Sequence, residues 1–256
     1  MTFQKDLKDK TINETMHSPE QNENDYEFIR NSNPEHNESE YTFFARQKST
    51  GNQVLVHDIR LVPGISISAA KSKLVIEHKQ LAKLGPKNFV QFYGIFEKNG
   101  HICLALEAVE GQTIYQFINK MKERKKLLST HEFWYYTGRI ATLLYIIQKV
   151  NMIHGHLSSS NIFITKENKI KIDGLLQHTI LKICGDAEKM KRNIQYLCPE
   201  QIEGKGEFEL LTQQSDMYSL GIVLYQLVEG GSFPFEGKTE EELLKSYEEA
   251  NCQKHN

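Results

Sequence analysis

A chain of 256 residues with 39% apolar content can build a real core, as one large domain or two closely joined lobes. A formal charge of -2 and a pI near 6.6 exclude any general attraction to nucleic acid or to an anionic membrane surface. The basic run Lys122 to Lys126 reads most simply as a solvated helix face. Cys103, Cys184, Cys198 and Cys252 are scattered without a CxxC pair, which argues against a disulfide frame or a zinc cage. No apolar run approaches the roughly 18 residues of a membrane span, and the start has no apolar signal core. The expectation is a cytoplasmic protein that binds neither nucleic acid nor membrane.

Residues 1 to about 25 are rich in Asn, Gln, Glu, Asp, Lys and Thr, and are expected to form a disordered polar tail. From Tyr26 the pattern changes. Glu27 to Arg30, Tyr41 to Arg46 and Gln53 to Leu61 read as strands, the last two joined by the turn Ser49-Thr50-Gly51-Asn52. A helix is predicted over Ser68 to Leu84, with Leu74, Glu77, Leu81 and Leu84 on one stripe and Gly85-Pro86 ending it. Strands over Val90 to Glu97 and Ile102 to Glu107 follow.

The second half reads as mainly helical. Ser129-Thr-His-Glu132 is a capping box opening a helix to about Lys149, with Phe133, Tyr136, Ile140, Leu143 and Ile147 inward. A hairpin over Asn161 to Ile164 and Ile170 to Ile172 comes next, then a buried helix from about Ser215 to Val228 that stops at Gly230-Gly231. Glu240 to Glu249 is a further helix. The fold class expected is α+β in two lobes: a small β-rich lobe with one helix over residues 26–106, and a larger helical lobe over 107–256.

The segment His154-Gly-His-Leu-Ser-Ser-Ser-Asn161 resembles the protein-kinase catalytic loop H-R-D-L-x-x-x-N. Leu197-Cys-Pro-Glu200 is similar to the A-P-E box, and Ser215-Asp-Met-Tyr-Ser-Leu-Gly221 with Phe233-Pro-Phe235 to the large-lobe helix and its trailing P-F. Phe89-Val-Gln-Phe-Tyr-Gly94 resembles the fourth strand of that family, so the likeness covers about residues 27 to 250. The style of the loop is nearest to tyrosine-kinase-like members. The resemblance implies structural roles for Asp216, as acceptor of catalytic-loop N–H groups, and for Leu81, Phe92, His154 and Leu175, stacked as a column between the lobes. It also implies an arginine partner for Glu200 in later helices. The chain ends at Asn256 without that arginine, so the large lobe is expected to be incomplete at its C-terminus, with Glu200 in solvent or beside a local cation.

Phosphoryl transfer is positioning and charge neutralisation, so each part can be checked against the residues. The phosphate-cradling loop, Arg30 to Tyr41, contains no glycine, and Glu35, Asn37 and Glu40, with Glu38 nearby, would repel a polyphosphate. The strand-three motif reads Val54-Leu-Val-His57, with His57 in place of the phosphate-binding lysine and Leu55 and His57 facing the cleft. The helix acid Glu77 remains, and either hydrogen-bonds His57 or reaches solvent. Leu55 replaces a small alanine over the adenine slot and Phe163 replaces a leucine in its floor; Leu106, like Glu77 and Asn161, is a further remnant of the cofactor-binding positions that the resemblance implies. The catalytic aspartate is His156, and the metal-binding acid is Gly174 when counted without a gap from Asn161. Asp173 stands one place early, an offset that on a strand reverses the side-chain direction. The expected function is therefore that of a pseudokinase, with binding of ATP and magnesium weak or absent, that serves as a scaffold or allosteric regulator of a protein partner such as an active kinase. The alternatives are a divergent kinase using His156 or Asp173, a nucleotide-binding switch, and a degenerate product without a stable role. His154 and His156 as a metal pair lack a second close pair of ligands, and no metal site is expected.

Overall fold

The computed structural model describes residues 20–29, 41–61, 63–81, 84–85, 87–184, 194–203 and 211–253. The small lobe is a five-stranded antiparallel sheet in the order β1-β2-β3-β5-β4, from β1 (Tyr26–Phe28), β2 (Tyr41–Gln47), β3 (Gln53–Ile59), β4 (Phe92–Lys98) and β5 (His101–Glu107). Two tight turns fix its register. Gly51, at φ +73°, closes β2 onto β3, and Asn99-Gly100, at φ +51° and +78°, joins β4 to β5 with the left-handed pair that a two-residue hairpin requires.

The period of two along the strands sorts the apolar residues onto opposite faces. Val54, Val56, Cys103 and Ala105 join Tyr26, Ala45 and Phe96 in one cluster. Ile59, Ile102 and Leu104 meet Ala70 and Leu74 of helix α1 (Ile67–Leu81) in another. Alternation along β3 therefore places Leu55 and His57 on the α1 side.

Residues 20–25 correct the expectation of a disordered tail that runs to residue 25. Glu20 bridges Ile95, the Gln21 N–H donates to the Ile95 carbonyl (2.9 Å), and Asn22 caps a short 3-10 turn over Glu23–Asp25. The Gln21 carboxamide donates to the Tyr93 carbonyl (2.9 Å) and accepts from the Tyr26 hydroxyl. These polar groups find partners in the sheet that composition alone does not reveal. Gly94 makes the approach possible, because a Cβ there would lie 2.6 Å from Gln21 Cδ. Gly94→Ala is expected to displace this strap and lower stability by about 1–2 kcal/mol. Urea titration of Gly94→Ala, Gln21→Ala and the double variant checks this: the double variant should cost little more than Gln21→Ala alone.

The large lobe begins with β6 (Gly111–Thr113), which pairs with β7 (Ile162–Thr165) and β8 (Ile170–Ile172) in a three-stranded sheet. Helix α2 (Ile114–Glu123), which the sequence reading passed over, opens on a capping box in which the Gln116 N–H donates to Thr113 Oγ1 (3.1 Å). Helix α3 (Thr130–Lys149) starts at the expected Ser129 cap and buries Tyr136, Ile140, Leu143, Leu144 and Ile147. Three further helices are α4 (Gln177–Cys184), α5 (Pro199–Glu203) and α6 (Gln213–Val228); α6 is capped by Thr212, so it starts two residues earlier than predicted. The last is α7 (Glu240–Gln253), whose Leu243 and Tyr247 pack with Ile194 and Ile202. Among the described residues no helix is long and apolar enough to cross a membrane.

The two lobes are stitched at one edge. The Val90 N–H donates to the Ile172 carbonyl and the Ile172 N–H to the Asn88 carbonyl, both at 2.9 Å. Beside them the Lys171 ammonium, on β8, bonds both carboxylate oxygens of Glu107 at the end of β5.

Candidate functional site

The loop after α3 is held from beneath by Asp216 on α6, whose two carboxylate oxygens accept the N–H groups of His154 and Gly155, each at 2.8 Å. Burial pushes the Asp216 pKa up to about 6, against the opposing pull of those two donors. His154 is wholly buried, and its Nε2 lies 2.8 Å from the Asp173 carbonyl. A carbonyl only accepts, so Nε2 carries the proton and Nδ1 is free to accept the His156 N–H at 3.2 Å. Burial lowers the pKa of this ring to about 4, and it stays neutral at ordinary pH.

Asn161 closes the rest of the loop. Its amide nitrogen donates to the His156 carbonyl (2.5 Å) and its oxygen accepts the Ser158 N–H (2.9 Å). Both ends of the side chain thus serve the loop backbone. Gly155 sits at φ +70° and Gly174 at φ +88°, where a residue with a Cβ is strained. A Cβ at 174 would also lie 3.1 Å from Asn161 Nδ2 and 3.4 Å from His154 Cε1.

The strand β8 ends at Ile172, so the alternation argument applied to Asp173 does not hold; Asp173 lines the interlobe cleft together with Gly174. The Asp173 carboxylate accepts the Gly174 N–H at 2.7 Å. His57, Leu81, Phe92, Leu106 and Leu175 line the same cavity, whose lining does not include Leu55 or Phe163. Leu55 is paired with Leu106 across the sheet, and Phe163 sits on β7 between Thr113 and Lys171. Leu81 packs against the hydrophobic clusters of both lobes, Phe92 against the small-lobe cluster and Leu175 against the large-lobe one. Glu200 is exposed on α5.

Both expectations for Glu77 are corrected: it bonds neither His57 nor solvent alone, but accepts a hydrogen bond from Thr179 Oγ1. Thr179 belongs to α4, an element the sequence reading missed, although Leu176, Ile180 and Ile183 at i, i+4 and i+7 carry its signature. Those three side chains join Ala70 and Leu74 of α1 and Ile95 and Leu104 of the sheet in a single cluster. Helix α4 therefore occupies the space between α1 and the cleft. Beside α4, among the described residues, His57, Leu81, Phe92, Gly174 and Ile180 leave a cavity of about 40 Å³. Sites that enclose a small molecule commonly measure about 300–1,000 Å³.

The phosphate-loop positions Glu35, Asn37, Glu38 and Glu40 lie outside the described residues, as does most of the segment between Lys182 and Tyr196. Among the described residues, no group of three His, Cys, Asp or Glu side chains is arranged to hold a metal ion.

A curled antiparallel sheet with one helix, a helical lobe, and a loop anchored by a buried aspartate together define a protein-kinase fold. The family described as protein tyrosine and serine/threonine kinase matches residues 39–255, and the chain belongs to it. It is 29% identical over 185 residues to the "Probable serine/threonine-protein kinase CCRP1" of Zea mays, covering 72% of this chain and 28% of that protein. Similarity extends to the dual specificity mitogen-activated protein kinase kinase 1 of Dictyostelium discoideum (28% identity, 64% of this chain, 24% of that one). The human serine/threonine-protein kinase Nek5 is 25% identical over 82% of this chain and 28% of its own length. The chain thus spans about a quarter of the length of these relatives.

Proposed function

We propose that this chain is a pseudokinase, which keeps the kinase fold, transfers no phosphoryl group, and acts in the cytoplasm as a scaffold or allosteric regulator of a protein partner, an active kinase being one candidate. The observation that carries the reading is the cleft. Helix α4 packs into it beside α1, the cavity left there is about 40 Å³, and His57 stands where the family has its phosphate-binding lysine. His156 in place of the catalytic aspartate, and the acidic, glycine-free stretch before β2, support the same conclusion. Weak or absent binding of magnesium–ATP belongs to the same reading, because a histidine replaces the lysine that would pair the phosphates and the cavity beside it is small.

A second reading, a divergent kinase, draws on Asp173, whose place in the cleft lining leaves one carboxylate near where a metal would be needed. Thermal unfolding with millimolar ATP, with and without magnesium, separates the two. Ligand at about 100 times its dissociation constant stabilises by roughly 2.7 kcal/mol, several degrees for a chain of this size. The expected result is no shift. A magnesium-dependent rise of several degrees would overturn the pseudokinase reading, and a magnesium-independent one would make the chain a nucleotide-binding switch.

A further inference from the structure

We propose that the groove between the C-terminal ends of α2 and α6 is a docking site for an acidic, amphipathic helical segment of a protein partner. The proposal deepens the protein-binding reading above, and rests on it only in taking the occupant to be a protein. The groove shares no lining residue with the interlobe cleft, so a positive nucleotide test leaves it standing.

The groove holds about 440 Å³, some ten times the cavity beside α4 at about 40 Å³. Its floor is built from Phe117, the buried Ile118 of α2 and the buried Leu227 of α6. Two apolar side chains at its lip stand in solvent, Leu127 at 87% exposure and Val228 at 55%. A floor and lip of this kind take the apolar side chains of a partner. The lining comes from helices and the segments that follow them, with no strand edge, so backbone pairing with an extended peptide has nothing to add to. An amphipathic helix laid into an apolar groove is the recognition mode that remains.

Charge selects the occupant. Lys122, Lys125 and Lys126 line the groove against one carboxylate, Glu229. The run that the sequence presents as a solvated face is thus gathered on one rim of an apolar trough, where it complements carboxylates flanking the apolar stripe of a partner. Lys125 also adopts an unusual backbone. Among the described residues, the other non-glycine positions at positive φ are Asn99, Asn151 and Asn168, a residue type that tolerates the left-handed region, whereas Lys125 sits there at φ +51°. The turn that ends α2, with the Lys126 N–H donating to the Met121 carbonyl (2.9 Å), holds a lysine where glycine is the easier residue.

The test is fluorescence anisotropy of a fluorescein-labelled helical peptide titrated with the full chain. The peptide carries leucines at i, i+3, i+4 and i+7, with glutamates on both flanks. Saturable binding is expected, weakened about tenfold or more by Lys122→Glu/Lys125→Glu/Lys126→Glu, and about tenfold by Leu127→Asp. Leu127 is nearly free of the fold, so that variant keeps the thermal unfolding midpoint of the parent. A peptide with lysines in place of the glutamates should not bind. Absence of saturation with the acidic peptide, or equal binding by parent and both variants, overturns the proposal. So does sedimentation with phosphatidylcholine–phosphatidylserine vesicles that the triple variant loses while the peptide stays unbound, which would make the partner a membrane surface. Concentration-dependent dimerisation abolished by the same variants, again without peptide binding, would put a second copy of the chain in the groove and overturn it equally.

Discussion

Asp216→Ala is expected to lower the unfolding free energy at pH 7 by about 2–4 kcal/mol, since it leaves one buried and one half-buried N–H group without an acceptor. Those groups belong to His154 and Gly155, and their loss of anchorage would loosen the whole loop up to Asn161. The size is the balance of two effects. Each orphaned donor costs roughly 1–3 kcal/mol, and removing a buried carboxylate returns part of that. The pH dependence isolates the carboxylate. Its folded pKa of about 6 lies above the ordinary 3.8, so on acidification the folded protein takes up the proton first. Native stability, relative to a variant without the group, therefore rises as pH falls from about 6 to below 4, by about 3 kcal/mol in all. Urea titrations at pH 7 and pH 4 of the parent, Asp216→Ala and Asp216→Asn check this. The gap to both variants should widen at pH 4, and Asp216→Asn, which keeps an acceptor, should be the milder at pH 7. A gap that narrows on acidification would contradict the buried-carboxylate account.

Ile180→Ala should cost about 2–4 kcal/mol, the range for truncating a buried aliphatic side chain. Ile180 is 7% exposed and packs with Leu74, Ile95 and Leu104, so its loss empties the centre of the cluster that binds α4 to α1. A lower urea midpoint at an unchanged slope is the expected observation. The same variant asks a sharper question, because Ile180 also lines the cleft. A cleft that is only plugged would gain a magnesium–ATP thermal shift once Ile180 is cut back. One that also lacks the groups to neutralise a triphosphate would not, and no gain is expected.

Much of the fold is legible locally. The Ser129-to-Glu132 box, the Gly51 turn and the Gly230-Gly231 stop each act within a few residues, and the elements they bound fall where expected. Helix α2 was equally legible from Thr113 and Gln116, a box of the same type. Helix α4 is different in kind. Its apolar stripe is short, and it gains its place by packing against α1, whose Glu77 lies 102 residues from Thr179. The stripe of Leu176, Ile180 and Ile183 is its one local trace, and the partner 102 residues away is not in it. The side-chain direction of Asp173 is hidden for a related reason: alternation is a rule for strands, and β8 stops one residue before it. The strap at residues 20–25 was hidden because polar residues that find partners in a sheet have the same composition as those that find water.

Gly174 has a consequence for anyone trying to install chemistry in this cleft. With the backbone at φ +88° and neighbours at 3.1 and 3.4 Å from where a Cβ would stand, Gly174→Asp must first unbend the main chain and push aside Asn161 and His154. Those two side chains tie the adjoining loop to itself, so the new carboxylate would arrive at the expense of the scaffold meant to position it. An acid at this point is thus barred to any lone replacement, and installing one would have to remake the path of the chain before it changed what the chain carries.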